Sequence, residues 1–251
     1  EILYQSVNVD EYFIEKLPED TKNYDKSIKI ILLGNSNVGK SSIVHCLGDD
    51  PYNNYQRSTV GLDHYNYIIR INNIVIRMQI WDTAGQEKFD SITLNYFKNA
   101  DVAIFVYAIN DKNSFNKIEQ WDNQLNNKIN DDRNNTINDE KDIEDKKDID
   151  DKKVIDDKKD KDEKKETDKD KNENINVKQE EINKNLIKVL LGNKKDLDNE
   201  RQVTYEEGEQ LSKSKNFDLF KEISSSLEIG ENGECYVDDI INLFNIIGKK
   251  I

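Results

Sequence analysis

The stretch Ser27–Leu33, SIKIILL, runs straight into Gly34-Asn35-Ser36-Asn37-Val38-Gly39-Lys40-Ser41, and Lys40–Leu47 continues with helical spacing. A short apolar run that stops at glycine reads as a buried strand. The loop after it matches G-x-x-x-x-G-K-[ST], in the strand–loop–helix setting that gives the pattern its meaning. Backbone N–H groups of such a loop converge into a nest for anions, and the helix N-terminus adds partial positive charge. Lys40 supplies a movable cation for β and γ phosphates, and the Ser41 hydroxyl suits Mg²⁺. Gly39 lets the backbone approach the bound group closely. Gly34, Asn35, Ser36, Asn37, Val38, Gly39, Lys40, Ser41 and Ser42 are therefore candidate phosphate contacts.

The rest of the chain extends this βα unit. Tyr65–Ile71 and Ile74–Trp81 read as two strands joined by a two-residue turn at Asn72-Asn73. Ser91–Asn99 reads as a helix. Val102–Tyr107 is continuously apolar, as a central strand covered on both faces must be. Ser114–Leu125 places Phe115, Ile118, Trp121 or Asp122, and Leu125 near helical spacing. Ile187–Leu191 and Leu219–Ile223 are further strands. Thr204 and Glu207 match a capping box that opens a helix through Lys215. Val237–Ile247 is a closing amphipathic helix. Strands alternating with helices predict one α/β domain, a mostly parallel six-stranded sheet with helices on both faces.

Composition changes sharply in one place. Between Asp131 and Glu180, 34 of 50 residues are charged, and Asp145–Asp162 reads as a drifting hexapeptide, DKKDID-DKKVID-DKKDKD. Asp is a poor helix former, and Asp–Lys pairs return only about 0.2–0.5 kcal/mol each. The tract lacks the apolar content that offsets chain entropy. It predicts a disordered insertion at about 128–184 within a domain spanning 27–251, behind an N-terminal extension, 1–26, whose mixed apolar and acidic residues fit no period. That extension reads as a partly ordered tail or as an arm docked on its own domain or a partner.

Several functions are excluded early. No apolar run reaches the roughly 18 residues needed to span a bilayer. A net charge of −14 argues against a sequence-independent grip on nucleic acid. Cys46 and Cys235 are too few for a disulfide scaffold, and His45 and His64 give no metal-site spacing with them.

Two more motifs choose the chemistry. Asn193-Lys194-Lys195-Asp196 follows an apolar strand, at the end of the sheet where open α/β folds bind ligands. The Asp196 carboxylate can accept from both N1–H and the 2-amino group of guanine. Adenine offers neither donor, so it would leave a desolvated charge unpaired. Trp81-Asp82-Thr83-Ala84-Gly85-Gln86-Glu87 places a carboxylate near the metal, an N–H at Gly85 for a γ-phosphate, and Gln86 to orient water.

With these residues the chain resembles a Ras-superfamily small GTPase, most like the Rab branch, over about 27–121 and 186–247. Arg77–Trp81, Lys88–Thr93 and Tyr96–Ala100 carry the Rab-like flavour. The resemblance implies GTP, GDP and Mg²⁺ as ligands. It implies that Thr59 ligates Mg²⁺ and senses the γ-phosphate, and that Tyr52 packs an aromatic ring against guanine. Metal ligation then falls to Ser41, Thr59 and Asp82, and catalysis to Gln86, Lys40 and Gly85. Ser224, Ser225 and Ser226 stand where the family has Ser-Ala-Lys. The Ser225 N–H is expected at the guanine oxygen, and the missing lysine at Ser226 removes packing over the base. His64 stands where Rabs usually carry Phe, beside Trp81 and Tyr96, and Ala108 replaces a common Asp.

The implied activity is slow hydrolysis of GTP to GDP and phosphate, stimulated by an activating protein. The implied role is a monomeric cytoplasmic regulator of vesicle trafficking and protein transport. Exchange factor, activating protein and effectors are expected at Thr59–Tyr65 and Gly85–Phe97, with no nucleic acid among the partners. Endomembrane attachment is expected through a prenylated tail, absent from a chain that closes Gly248-Lys249-Lys250-Ile251. Two rivals stand beside the switch: a nucleotide-bound scaffold that works through its charged tract, and an ATPase, which Asp196 disfavours.

Overall fold

The computed structural model describes residues 13–48, 62–83, 97–131, 186–226 and 236–251. Its strands are β1 (Ile14–Leu17), β2 (Lys26–Leu33), β3 (Leu62–Ile71), β4 (Ile74–Thr83), β5 (Val102–Ala108), β6 (Ile187–Asn193) and β7 (Leu219–Glu222). Its helices are α1 (Lys40–Cys46), α2 (Lys112–Asn116), α3 (118–131), α4 (Tyr205–Ser214) and α5 (Tyr236–Lys250), with a 3₁₀ turn at Lys195–Glu200. They build one sheet in the order β1-β3-β4-β2-β5-β6-β7. Strands β4, β2, β5, β6 and β7 run parallel, and β1 and β3 are antiparallel to their neighbours.

The sheet has seven described strands where the sequence predicts six. The extra one, β1, lies inside the stretch read as an extension. Ile14↔Ile71 through Leu17↔Ile68 pair along the edge of β3. Four residues are too few to show a period of two, and the partner strand lies more than fifty residues away. Asn72 anchors the arm, since its N–H donates to the Phe13 carbonyl at 2.8 Å and its side chain accepts from Phe13 N–H at 3.1 Å. Pro18 follows and offers no N–H to extend the ladder.

The core divides by strand alternation. Ile28, Ile30 and Leu32 of β2 pack on one face with Ile43 of α1 and Ile240, Phe244 and Ile247 of α5. Ile31 and Leu33 face the other way, with Phe105, Tyr107, Ile118, Leu125 and Leu190. Every residue of β5 is buried, as its unbroken apolar sequence demands. Asn72 takes φ 53 in the predicted hairpin turn, a conformation Asn tolerates.

The helix predicted from Ser114 begins earlier, because the Asp111 carboxylate accepts from Asn113 N–H and Ser114 N–H at 3.0 and 3.2 Å. It breaks at Lys117 and continues to residue 131, past the predicted start of the insertion. Residues 132–185 lie outside the described residues. Either side of them, Lys188 of β6 donates to Asp122 of α3 at 3.1 Å and to the Lys215 carbonyl at 2.9 Å. Both side chains are largely buried, so removing one partner would cost about 3–5 kcal/mol. Among the described residues, no helix is long and apolar enough to cross a membrane.

Candidate functional site

Strand β2 delivers the loop to the carboxyl end of the sheet. Gly34 takes φ +145, and a Cβ there would lie 2.2 Å from the Val106 carbonyl oxygen. Asn35 is buried, Ser36 and Asn37 are exposed at the bend, and Asn37 takes φ 63. Val38 turns its side chain into the core. Gly39, at φ +94, is the N-cap of α1, where a Cβ would meet Asn193 Nδ2 at 2.2 Å. Only glycine fits that approach. Ser41 and Ser42, both half-buried, occupy the first turn of α1.

Lys40 is 5% exposed. Its Nζ donates to the carbonyls of Gly34 and Asn35 at 2.8 Å each, folding the side chain across the loop. Burial lowers its pKa to about 8, against the opposing pull of Asp82. A bound anion would supply the charge partner that this ammonium is buried to meet. The Ser41 hydroxyl donates to Asp82 Oδ2 at 2.5 Å, with Asp82 buried in β4. Two hard oxygen donors at the mouth of a phosphate loop suit Mg²⁺, which keeps several waters and binds through few protein oxygens.

The second half of the site is joined to the first through Asn193, which is fully buried at the end of β6. Its Nδ2 donates to the Val38 carbonyl at 2.8 Å and to Ser225 Oγ at 2.9 Å. Its Oδ1 accepts from Ser225 N–H at 3.0 Å. The Ser225 N–H, expected at a guanine oxygen, thus lies against the Asn193 side chain at the end of β6. Lys194 turns the chain through φ 67, and Asp196 opens outward from the 3₁₀ turn. Ser224 donates to Asp196 Oδ1, and Ser224 Oγ accepts from Ser226 N–H at 3.0 Å.

The structure thus brings Gly34–Ser41, Asp82, Asn193–Asp196 and Ser224–Ser226 to one end of the sheet. Tyr52, Thr59, Gly85 and Gln86 lie outside the described residues, as does Tyr96. His64 and Trp81 lie together as expected, with ring centroids 5.1 Å apart. Sequence reasoning missed Trp121. Helical spacing offers only Trp121 or Asp122 for the apolar face, whereas Trp121 Nε1 donates to Asn35 Oδ1 at 3.3 Å and steadies the loop. A tryptophan beside polar helix positions carries that signal, since its N–H needs an acceptor when covered. Cys46 is buried in the core.

Fold and loops together define an α/β mononucleotide-binding domain of the phosphate-loop kind. The Ras family model matches residues 29–179 and 163–232, and the chain belongs to the Ras family. It is 43% identical over 101 residues to the Ras-related protein Rab-11B of Dictyostelium discoideum, covering 40% of this chain and 46% of that one. It is 41% identical over 98 residues to the GTP-binding protein YPT1 of Saccharomyces cerevisiae, covering 39% and 48%. It is 39% identical over 114 residues to the GTP-binding protein YPTM2 of Zea mays, covering 45% and 56%. The chain spans about half the length of the curated relatives it matches. These relatives agree with the Rab-like branch expected from sequence.

Proposed function

We propose that this chain is a GTP-binding molecular switch, a Rab-like regulator of vesicle traffic that hydrolyses GTP to GDP and phosphate. The observation that carries this is the Asn193 carboxamide, hydrogen-bonded at once to the phosphate loop and to the Ser225 loop. Phosphate grip and purine recognition then act as one unit. Loop amides of Gly34–Ser41 and the Lys40 ammonium hold the phosphates. Asp196, steadied by Ser224, accepts from N1–H and the 2-amino group of guanine. Ser41 and Asp82, with Thr59, would hold Mg²⁺, which supplies charge neutralisation at the phosphate oxygens.

The chain's own residues carry the rest. Lys40 offsets charge spreading onto the transferred phosphoryl group. Gln86 orients the attacking water, and Gly85 N–H meets the γ-phosphate. Losing that phosphate removes the contacts at Thr59 and Gly85, which changes Thr59–Tyr65 and Gly85–Phe97. Exchange factor, activating protein and effectors engage those segments, and an arginine from the activating protein adds about 10³–10⁵ in rate.

Single-turnover phosphate release from the GTP-loaded chain tests this. Slow hydrolysis is expected, and a marked further loss in Gln86→Leu. Wild-type turnover in Gln86→Leu removes that side chain from the reaction. No hydrolysis at all in the wild type replaces the switch with the scaffold.

A further inference from the structure

Beneath the purine-reading residues lies a set of contacts that none of the motifs contains. Arg201 follows the 3₁₀ turn, and its Nη1 and Nη2 donate to Glu222 Oε1 and Oε2 at 2.7 and 2.8 Å. Its Nε donates to Asp198 Oδ1 at 2.7 Å, and Nη1 also reaches the Val203 carbonyl at 2.8 Å. The Glu222 side chain is 6% exposed and that of Arg201 22%, so the pair is shielded rather than a surface contact.

Its position gives it consequence. Glu222 ends β7 opposite Gly192. Ile223 N–H then donates to the Gly192 carbonyl at 2.8 Å, and the Ile223 carbonyl accepts from Lys195 N–H at 3.0 Å. Ser224 and Ser225 come next. Asp198, held by the same guanidinium, stands two residues after Asp196. One side chain therefore grips the roots of both loops that face the purine. Beneath Glu222 sits the fully buried Tyr107, whose hydroxyl has no hydrogen-bond partner among the described residues. Packing around it is close: a Cβ on Gly192 or Gly208 would approach that hydroxyl to 2.8 or 2.5 Å. Such a floor offers little room for water to replace the guanidinium beside Glu222.

We propose that Arg201 and Glu222 are positioning residues for base selectivity: their bidentate pair fixes the separation and tilt of Asp196 and the Ser224–Ser225 loop. The proposal deepens the guanine reading above and rests on it. A fork of two parallel hydrogen bonds fixes orientation as a point charge does not, so lysine should replace Arg201 poorly.

The readout is the affinity ratio between GDP and inosine diphosphate, which lacks the 2-amino group but keeps N1–H. A tilted Asp196 loses its second hydrogen bond first, so the ratio falls while phosphate binding persists. In the full chain with Mg²⁺, Arg201→Ala is expected to lower the ratio about tenfold, the worth of one charge-assisted hydrogen bond. Arg201→Lys and Glu222→Gln should move it the same way, and they read the same quantity if Arg201→Ala does not fold. Asp196→Asn should collapse the ratio by itself, and Arg201→Ala should add nothing on that background. A wild-type ratio in folded Arg201→Ala, or an equal loss of affinity for both nucleotides, overturns the positioning role. So does a further fall in ratio when Arg201→Ala is added to Asp196→Asn. If Asp196→Asn alone leaves the ratio intact, the guanine reading fails first and takes this proposal with it.

Discussion

At Asn193 one carboxamide serves two loops, and Gly39 makes the approach possible. The Asn193 Nδ2 atom would sit 2.2 Å from a Cβ at Gly39, in a backbone conformation of φ +94. Gly39→Ala therefore meets both a clash and a strained φ. Either response, retreat of Asn193 or reshaping of the loop, breaks the link to Val38. The expected outcome is a fall of at least about a hundredfold in GDP affinity, with the fold retained, from about 3 kcal/mol of strain and lost hydrogen bonding. Titration with a fluorescent GDP analogue, alongside circular dichroism, measures both. Near-wild-type affinity would mean the loop tolerates a side chain where the structure leaves no space. These residues were legible because glycine, lysine and asparagine sit at fixed offsets from strand ends. Trp121, Arg201 and Glu222 were not, because their partners are fixed by the folded sheet rather than by neighbours in sequence.

Local elements differ in how openly the chain announces them. The cap of α4 is written into Thr204-x-x-Glu207, and the structure forms both halves: Glu207 N–H donates to Thr204 Oγ1 at 3.2 Å, and Thr204 N–H to Glu207 Oε2 at 2.9 Å. Lys112 also donates to Glu207, and that bond first, then the Thr204 N–H, lowers the Glu207 pKa below 4.5. A carboxylate whose folded pKa is lowered gives stability that is present above the unfolded value and lost as pH falls through the folded one. Under saturating GDP and Mg²⁺, the wild type should be more stable than Glu207→Gln at pH 6. The gap should narrow as pH drops below 4.5, read from urea midpoints. A gap independent of pH would show that charge has no part in the cap. β1 shows the opposite case. It is four residues long and gains its order from the β3 edge and from Asn72, neither of which its own sequence reveals.

For the molecule as a whole, the charged tract interrupts the connection between α3 and β6 and leaves the sheet intact. β5 and β6 pair from Val102↔Ile187 to Ala108↔Asn193, as though nothing lay between them. Their carboxyl ends carry the site, whereas Ile187, where the described chain re-enters the sheet, pairs with Val102 at the opposite end. The fold class and the family were readable because hydrophobic period and motif spacing survive the interruption.

In the proposed switch one unit, tied at Asn193, grips phosphates and selects guanine. Equilibrium competition between GDP and ADP for the nucleotide-free chain in Mg²⁺ measures it directly. GDP is expected to win by at least about 10³-fold, because adenine leaves the Asp196 carboxylate unpaired. Equal affinity for the two nucleotides, or affinity for neither, would contradict it.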